Sequence, residues 1–147
     1  DFTELGINSK MFVVNADIIQ YRLSNMEKWQ ERRNEIADIY TKELKSDVIC
    51  QNVPKELSHN FHKYVIRFDD KQQRKRVKEG LKAIGLNASI HYEKPLSKNS
   101  LYITENHRKD NCINSQIASD TVMSLPVHAW LTDEETDTIC NTILMLS

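Results

Sequence analysis

The chain has 147 residues, a formal net charge of −1, 39% hydrophobic and 28% charged residues, enough to bury a core without disulfides or metals. The near-neutral balance counts against a dedicated nucleic-acid binder. No apolar run approaches the ~20 residues of a membrane span, and the start carries no signal-peptide pattern.

The first predicted element is the longest. Between Asn8 and Leu44 there is neither Gly nor Pro. Met11, Val14, Ile18, Tyr21, Met26, Trp29, Ile36, Tyr40 and Leu44 recur at helical spacing, with charges such as Glu27, Lys28, Glu31, Arg32 and Glu35 between them. The reading is one amphipathic helix over about 8–45, on the order of 50 Å long. Its front half, with Phe12, Val13, Val14, Ile18 and Ile19, is apolar nearly all round and is expected to be enclosed by protein outside this sequence.

An α+β unit is expected over about 54–147. Residues 62–68 (HKYVIRF) have strand character, with Tyr64, Ile66 and Phe68 alternating. Asp69 and Asp70 offer an N-cap to a basic helix over 71–84, with Val77, Leu81 and Ile84 on its buried side and Gly85 as its stop. The cations Lys71, Arg74, Lys75, Arg76, Lys78 and Lys82 read as a solvated face, since no aromatics interleave them for base contact.

Residues 87–92 read as a second strand ended by Pro95, and 96–111 as an irregular loop. Residues 113–123 read as a short helix, with Ser124-Leu125-Pro126 as an extended piece or edge strand. Thr132 and Glu135 have the spacing of a capping box for a last helix that buries Ile139, Ile143 and Leu146. The expected fold class is α+β, with helices packed on a small, mainly antiparallel sheet.

Cys50, Cys112 and Cys140 are odd in number and scattered, which makes a reducing cytoplasm the expected setting. His107 and Cys112 lack the further ligands of a structural zinc. The opening at Asp1, with no initiator Met, is expected to lie inside a longer protein.

Four strings carry a resemblance. Gly6-Ile7-Asn8-Ser9-Lys10-Met11 resembles the Gly-x-Asn-x-Arg-Met opening of the small domain of the DegT/DnrJ/EryC1/StrS sugar aminotransferases. His62-Lys63-Tyr64-Val65-Ile66 is similar to their His-x-Tyr-x-Ile strand. Arg76, Leu81, Gly85, Ile90, His91, Tyr92, Pro95 and Leu96 follow their Arg…Leu…Gly-Ile…Ile-His-Tyr-x-x-Pro-Leu segment. Ser124-Leu125-Pro126-Val127-His128 and Leu131-Thr132-Asp133-Glu134-Glu135 resemble their ending.

The resemblance implies the C-terminal small domain of a fold-type-I aminotransferase, packed on its own N-terminal large domain within a homodimer. Its cofactor would be pyridoxal phosphate, and its substrates a nucleotide-linked keto-sugar and an amino donor. The Schiff-base lysine would lie in the large domain, so no lysine here is nominated.

By the same resemblance Asn8 reaches the cofactor phosphate across the dimer, an anion site suited to a helix N-terminus. The competing reading is a plain helix cap. Lys10 stands where the family has an Arg near the nucleotide sugar; it keeps the charge but loses the bidentate fork, and it also reads as an ordinary exposed lysine. His91 and Tyr92 stand where a strand end approaches the substrate, or form a half-buried structural pair. His62 and His128 read as structural.

Pro95-Leu96-Ser97-Lys98-Asn99 departs from the family's Pro-Leu-His-x-Gln, which leaves the sugar open. Two other readings remain: a stand-alone α+β interaction module that docks a partner through the apolar helix, and a family relative that acts as a dehydratase or regulator.

Overall fold

The computed structural model describes residues 10–103 and 111–147. Asn8 and His107 lie outside the described residues, and Lys10 to Phe12 precede the first helix, α1 (Val13–Leu44). Phe12 holds the N-cap position with extended backbone and no side-chain cap. Good helix formers and the lack of Gly or Pro sustain 32 residues of helix.

Only the C-terminal part of α1 is buried. Ile36, Ala37, Tyr40 and Leu44 enter the core, whereas Val14 and Ile18 are 68% and 46% exposed. The front half thus presents its apolar side chains uncovered by the rest of the described chain.

Three short strands follow: β1 (Ile49–Cys50), β2 (Tyr64–Arg67) and β3 (Val122–Leu125), antiparallel in the order β1-β2-β3. The register pairs Tyr64 with Leu125 and Ile66 with Met123. Alternation therefore puts these four on one face and Val65 and Ser124 on the other. The first face meets α1, α2 (Lys71–Ala83) and α5 (Asp133–Leu146) in one core with Val77, Leu81, Ile139 and Ile143. Burying each such side chain contributes about 1.5–3 kcal/mol.

The caps are as expected from sequence. Asp70 accepts from the N–H groups of Gln72 and Gln73 at 2.6 and 2.8 Å. Gly85 (φ +81°) and Leu86 close α2 with N–H bonds to the carbonyls of Lys82 and Leu81, a Schellman ending. In α5 the Glu135 N–H donates to Thr132 Oγ1, and the Thr132 N–H donates to Glu135 Oε2.

Several expectations are corrected. Residues 87–92 do not form a strand; one bridge joins Ser89 to Ser124. By that register Asn87 would face Pro126, which has no N–H to extend the ladder. The helix expected over 113–123 ends earlier: α4 (Ile113–Thr121) gives way to β3 because Val122 and Met123 pair with Arg67 and Ile66.

Arg74 is not on the solvated face. It is buried, and its Nη1 donates to the Ser119 carbonyl at 2.6 Å. Ile84, at the C-cap of α2, is half exposed and not in the core. His62 and His128 have exposed side chains, and their bonds, to Asn60 and Leu131, run through the main chain. Part of the 96–111 loop is helical: a 3-10 turn (Leu96–Lys98) and a short α3 (Ser100–Ile103).

Candidate functional site

The side chains of α1, α2 and α5 share the core face of the sheet; the candidate site forms on the other face. Ser124 is its anchor. Its N–H donates to the Ser89 carbonyl at 2.8 Å, and its carbonyl accepts the Ser89 N–H at 3.2 Å. This pair of bonds holds the 87–92 segment beside β3. Ser124 Oγ then lies 3.0 Å from His91 Nδ1.

The Tyr92 ring meets the His91 ring edge to face, with centroids 5.4 Å apart at 88°. The peptide between them is cis. Tyr92 is 70% exposed. Lys63, on the β2 side, holds its Nζ 5.8 Å from the Tyr92 ring centroid, within cation–π range.

His91 and Tyr92 line a cleft of about 710 Å³, within the size range of small-molecule sites. Lys94, Pro95, Leu96, Ser97 and Asn99 also line it, as do Cys112, Ser115, Ala118, Ser119 and Val122. Apolar side chains with a few hydroxyl and amide groups suit a ligand with both ring faces and polar oxygens.

Thus the structure brings His91 and Tyr92 together at one cleft, one half-buried and one exposed. Lys10 is exposed at the far end of α1 and does not line it. Asn8 lies outside the described residues. Lys63 and Ser124 were not nominated from sequence as site residues. The alternation of Tyr64, Ile66 and Phe68 already puts Lys63 on the opposite face from the core, the one signal that pointed to it.

The clearly raised tyrosines and thiols sit elsewhere. Burial pushes the Tyr40 and Tyr64 hydroxyls up, and raises the Cys140 thiol to about 12. A thiol held protonated in the core is a packing residue and not a nucleophile. Among the described residues no three His, Cys, Asp or Glu side chains are grouped to hold a metal, and no helix is long and apolar enough to cross a membrane.

An α+β unit with four main helices on a three-stranded antiparallel sheet, and with a cleft on the sheet's second face, defines the class of this domain. The chain belongs to the DegT/DnrJ/EryC1/StrS aminotransferase family, which it matches over residues 2–144. It is similar to the dTDP-3-amino-3,6-dideoxy-alpha-D-galactopyranose transaminase of Aneurinibacillus thermoaerophilus, with 28% identity over 139 residues, 94% of this chain and 37% of the relative. It is 27% identical over 135 residues to a pleiotropic regulatory protein of Geobacillus stearothermophilus, covering 89% of this chain and 36% of that protein.

Among solved structures, a DegT DnrJ EryC1 StrS aminotransferase from Brucella abortus superposes with a TM-score of 0.82 at 26% identity. The match covers 99% of this chain and 38% of that one. The chain therefore spans little more than a third of the length of these relatives.

Solved structures with this fold include Spr1654 from Streptococcus pneumoniae in its PLP (pyridoxal phosphate) form, 22% identical with a TM-score of 0.83. That cofactor calls for a Schiff-base lysine and a charged partner for its ring nitrogen. The cleft's described lining includes Lys94 but no carboxylate or arginine. These residues alone do not fit the cofactor.

Proposed function

We propose that residues 1–147 are the C-terminal small domain of a pyridoxal-phosphate-dependent aminotransferase that aminates a nucleotide-linked keto-sugar. In this reading α1 (Val13–Leu44) and the α+β unit over about 54–147 dock on a large N-terminal domain in a cytoplasmic homodimer. The large domain holds the cofactor, whose electron-sink chemistry serves amino transfer when bound. The residues of this chain bind and orient.

His91 and Tyr92 form one wall of the nucleotide-sugar site. The imidazole and phenol can hydrogen-bond sugar or phosphate oxygens. Asn8 donates to the cofactor phosphate, and Lys10 supplies a positive charge toward the nucleotide.

The observation that carries this reading is α1. Its apolar side chains from Val13 to Met26 are exposed while Ile36, Ala37, Tyr40 and Leu44 are buried. Contiguous exposed apolar surface of this kind marks an interface. The nucleotide-sugar transaminase among the relatives supports the substrate class.

The test is kinetic. In the polypeptide that contains this chain, Tyr92→Ala should raise the KM for the nucleotide sugar about tenfold and leave the KM for the amino donor near its starting value. Equal KM values in variant and wild type would remove Tyr92 from the site. The relative named as a regulatory protein favours a second reading, a non-transaminating member of the family. The same assay decides it, because such a member forms no amino sugar.

A further inference from the structure

Ser124 and His91 are 33 residues apart and meet on the open face of the sheet. Ser124 is only 6% exposed, and both its main-chain polar groups are engaged by Ser89. Its hydroxyl has one described partner, His91 Nδ1 at 3.0 Å. A buried O–H that only accepted a hydrogen bond would leave its own proton without a partner, which is costly. Donation to Nδ1 removes that cost. A neutral imidazole whose Nδ1 accepts must carry its proton on Nε2.

We propose that Ser124 is a positioning residue. Its hydroxyl fixes His91 as the Nε2–H tautomer, so that the ring lining the cleft presents a hydrogen-bond donor to an oxygen of the nucleotide sugar. The Tyr92 ring lies nearly perpendicular to the imidazole, with centroids 5.4 Å apart. Lys94 lines the same cleft and adds positive charge there, which favours a phosphate oxygen. The ligand in this inference rests on the proposed function; the tautomer does not.

The experiment reads the tautomer directly, without substrate, in long-range proton–nitrogen spectra of the nitrogen-15-labelled chain. Mildly alkaline buffer keeps an imidazole uncharged. The expected result is a His91 ring with a protonated Nε2 and an unprotonated, hydrogen-bonded Nδ1. Ser124→Ala should average the two nitrogen shifts toward those of a free imidazole, and Ser124→Thr, which keeps the hydroxyl, should restore the separation. A wild-type ring protonated on Nδ1 overturns the proposal, as does a separation that Ser124→Ala leaves intact. The wild-type spectrum decides the tautomer even if Ser124→Ala does not fold. Failure of the amination assay with the tautomer confirmed would count against the proposed function alone.

Discussion

The Tyr40 hydroxyl donates to the main-chain carbonyl of Pro126 at 2.8 Å, tying the buried end of α1 to the segment just beyond β3. The hydroxyl is out of reach of bulk water, because Tyr40 is fully buried, and Pro126 is half-buried. Tyr40→Phe keeps the ring and leaves the carbonyl unpaired, so it should destabilise the chain by about 1–2 kcal/mol. Urea unfolding would show this as a lower midpoint with an unchanged slope.

The two halves of α1 should respond unequally to mutation. Ile36→Ala opens a cavity in the core and should cost about 3 kcal/mol. Ile18→Lys, on the exposed half, should change the stability of this chain by no more than about 0.5 kcal/mol. If α1 docks in a homodimer as proposed, the same Ile18→Lys should weaken that assembly, read by sedimentation.

Asp70 gives α2 a pH dependence. Its carboxylate accepts from Gln73 N and Gln72 N, and these bonds hold it below the ordinary carboxylate range. A group lowered in the folded state stabilises above its unfolded pKa of about 3.9 and loses that contribution as pH falls through the folded value. Thermal unfolding followed down through that window should show a loss of stability that Asp70→Ala lacks.

The cysteines should differ in reactivity. Cys112 is exposed at the cleft, whereas Cys140 is buried with its thiol raised to about 12. A thiol reagent at neutral pH should label Cys112 in the folded chain and reach Cys140 only on unfolding. Early labelling of Cys140 would contradict the packing described for α5.

Where α2 packs on α5, a Cβ at position 80 would run into the terminal methyl of Leu146, a partly buried side chain that must shift to make room. Gly80→Ala should therefore fail to deliver the stabilisation of about 1 kcal/mol that helix propensity alone predicts. Adding Leu146→Ala should recover part of it, a coupling visible in a double-mutant cycle.

What the sequence disclosed follows from which interactions are local. The Thr132–Glu135 box, the Asp70 cap, the Gly85 stop and the alternation in β2 act within a few residues, and all could be read directly. The long helix was legible from its unbroken run of helix formers. β1 was missed, because Ile49 and Cys50 are too short a run to show a period. Arg74 was misjudged because its partner is the Ser119 carbonyl, 45 residues away. His91 and Tyr92 were found through resemblance to a family, and neither periodicity nor composition singles them out. The Ser124 hydroxyl on His91 is a product of tertiary register, visible only once residues 87–92 lie beside β3.

The most direct measurement is amination by the purified polypeptide that contains this chain, loaded with pyridoxal phosphate and given glutamate and a panel of nucleotide-linked keto-sugars. The account predicts that at least one amino sugar is formed and that a His91→Ala, Tyr92→Ala double variant forms it with a sharply raised KM. No amino sugar from any member of the panel, or a double variant indistinguishable from wild type, would contradict it.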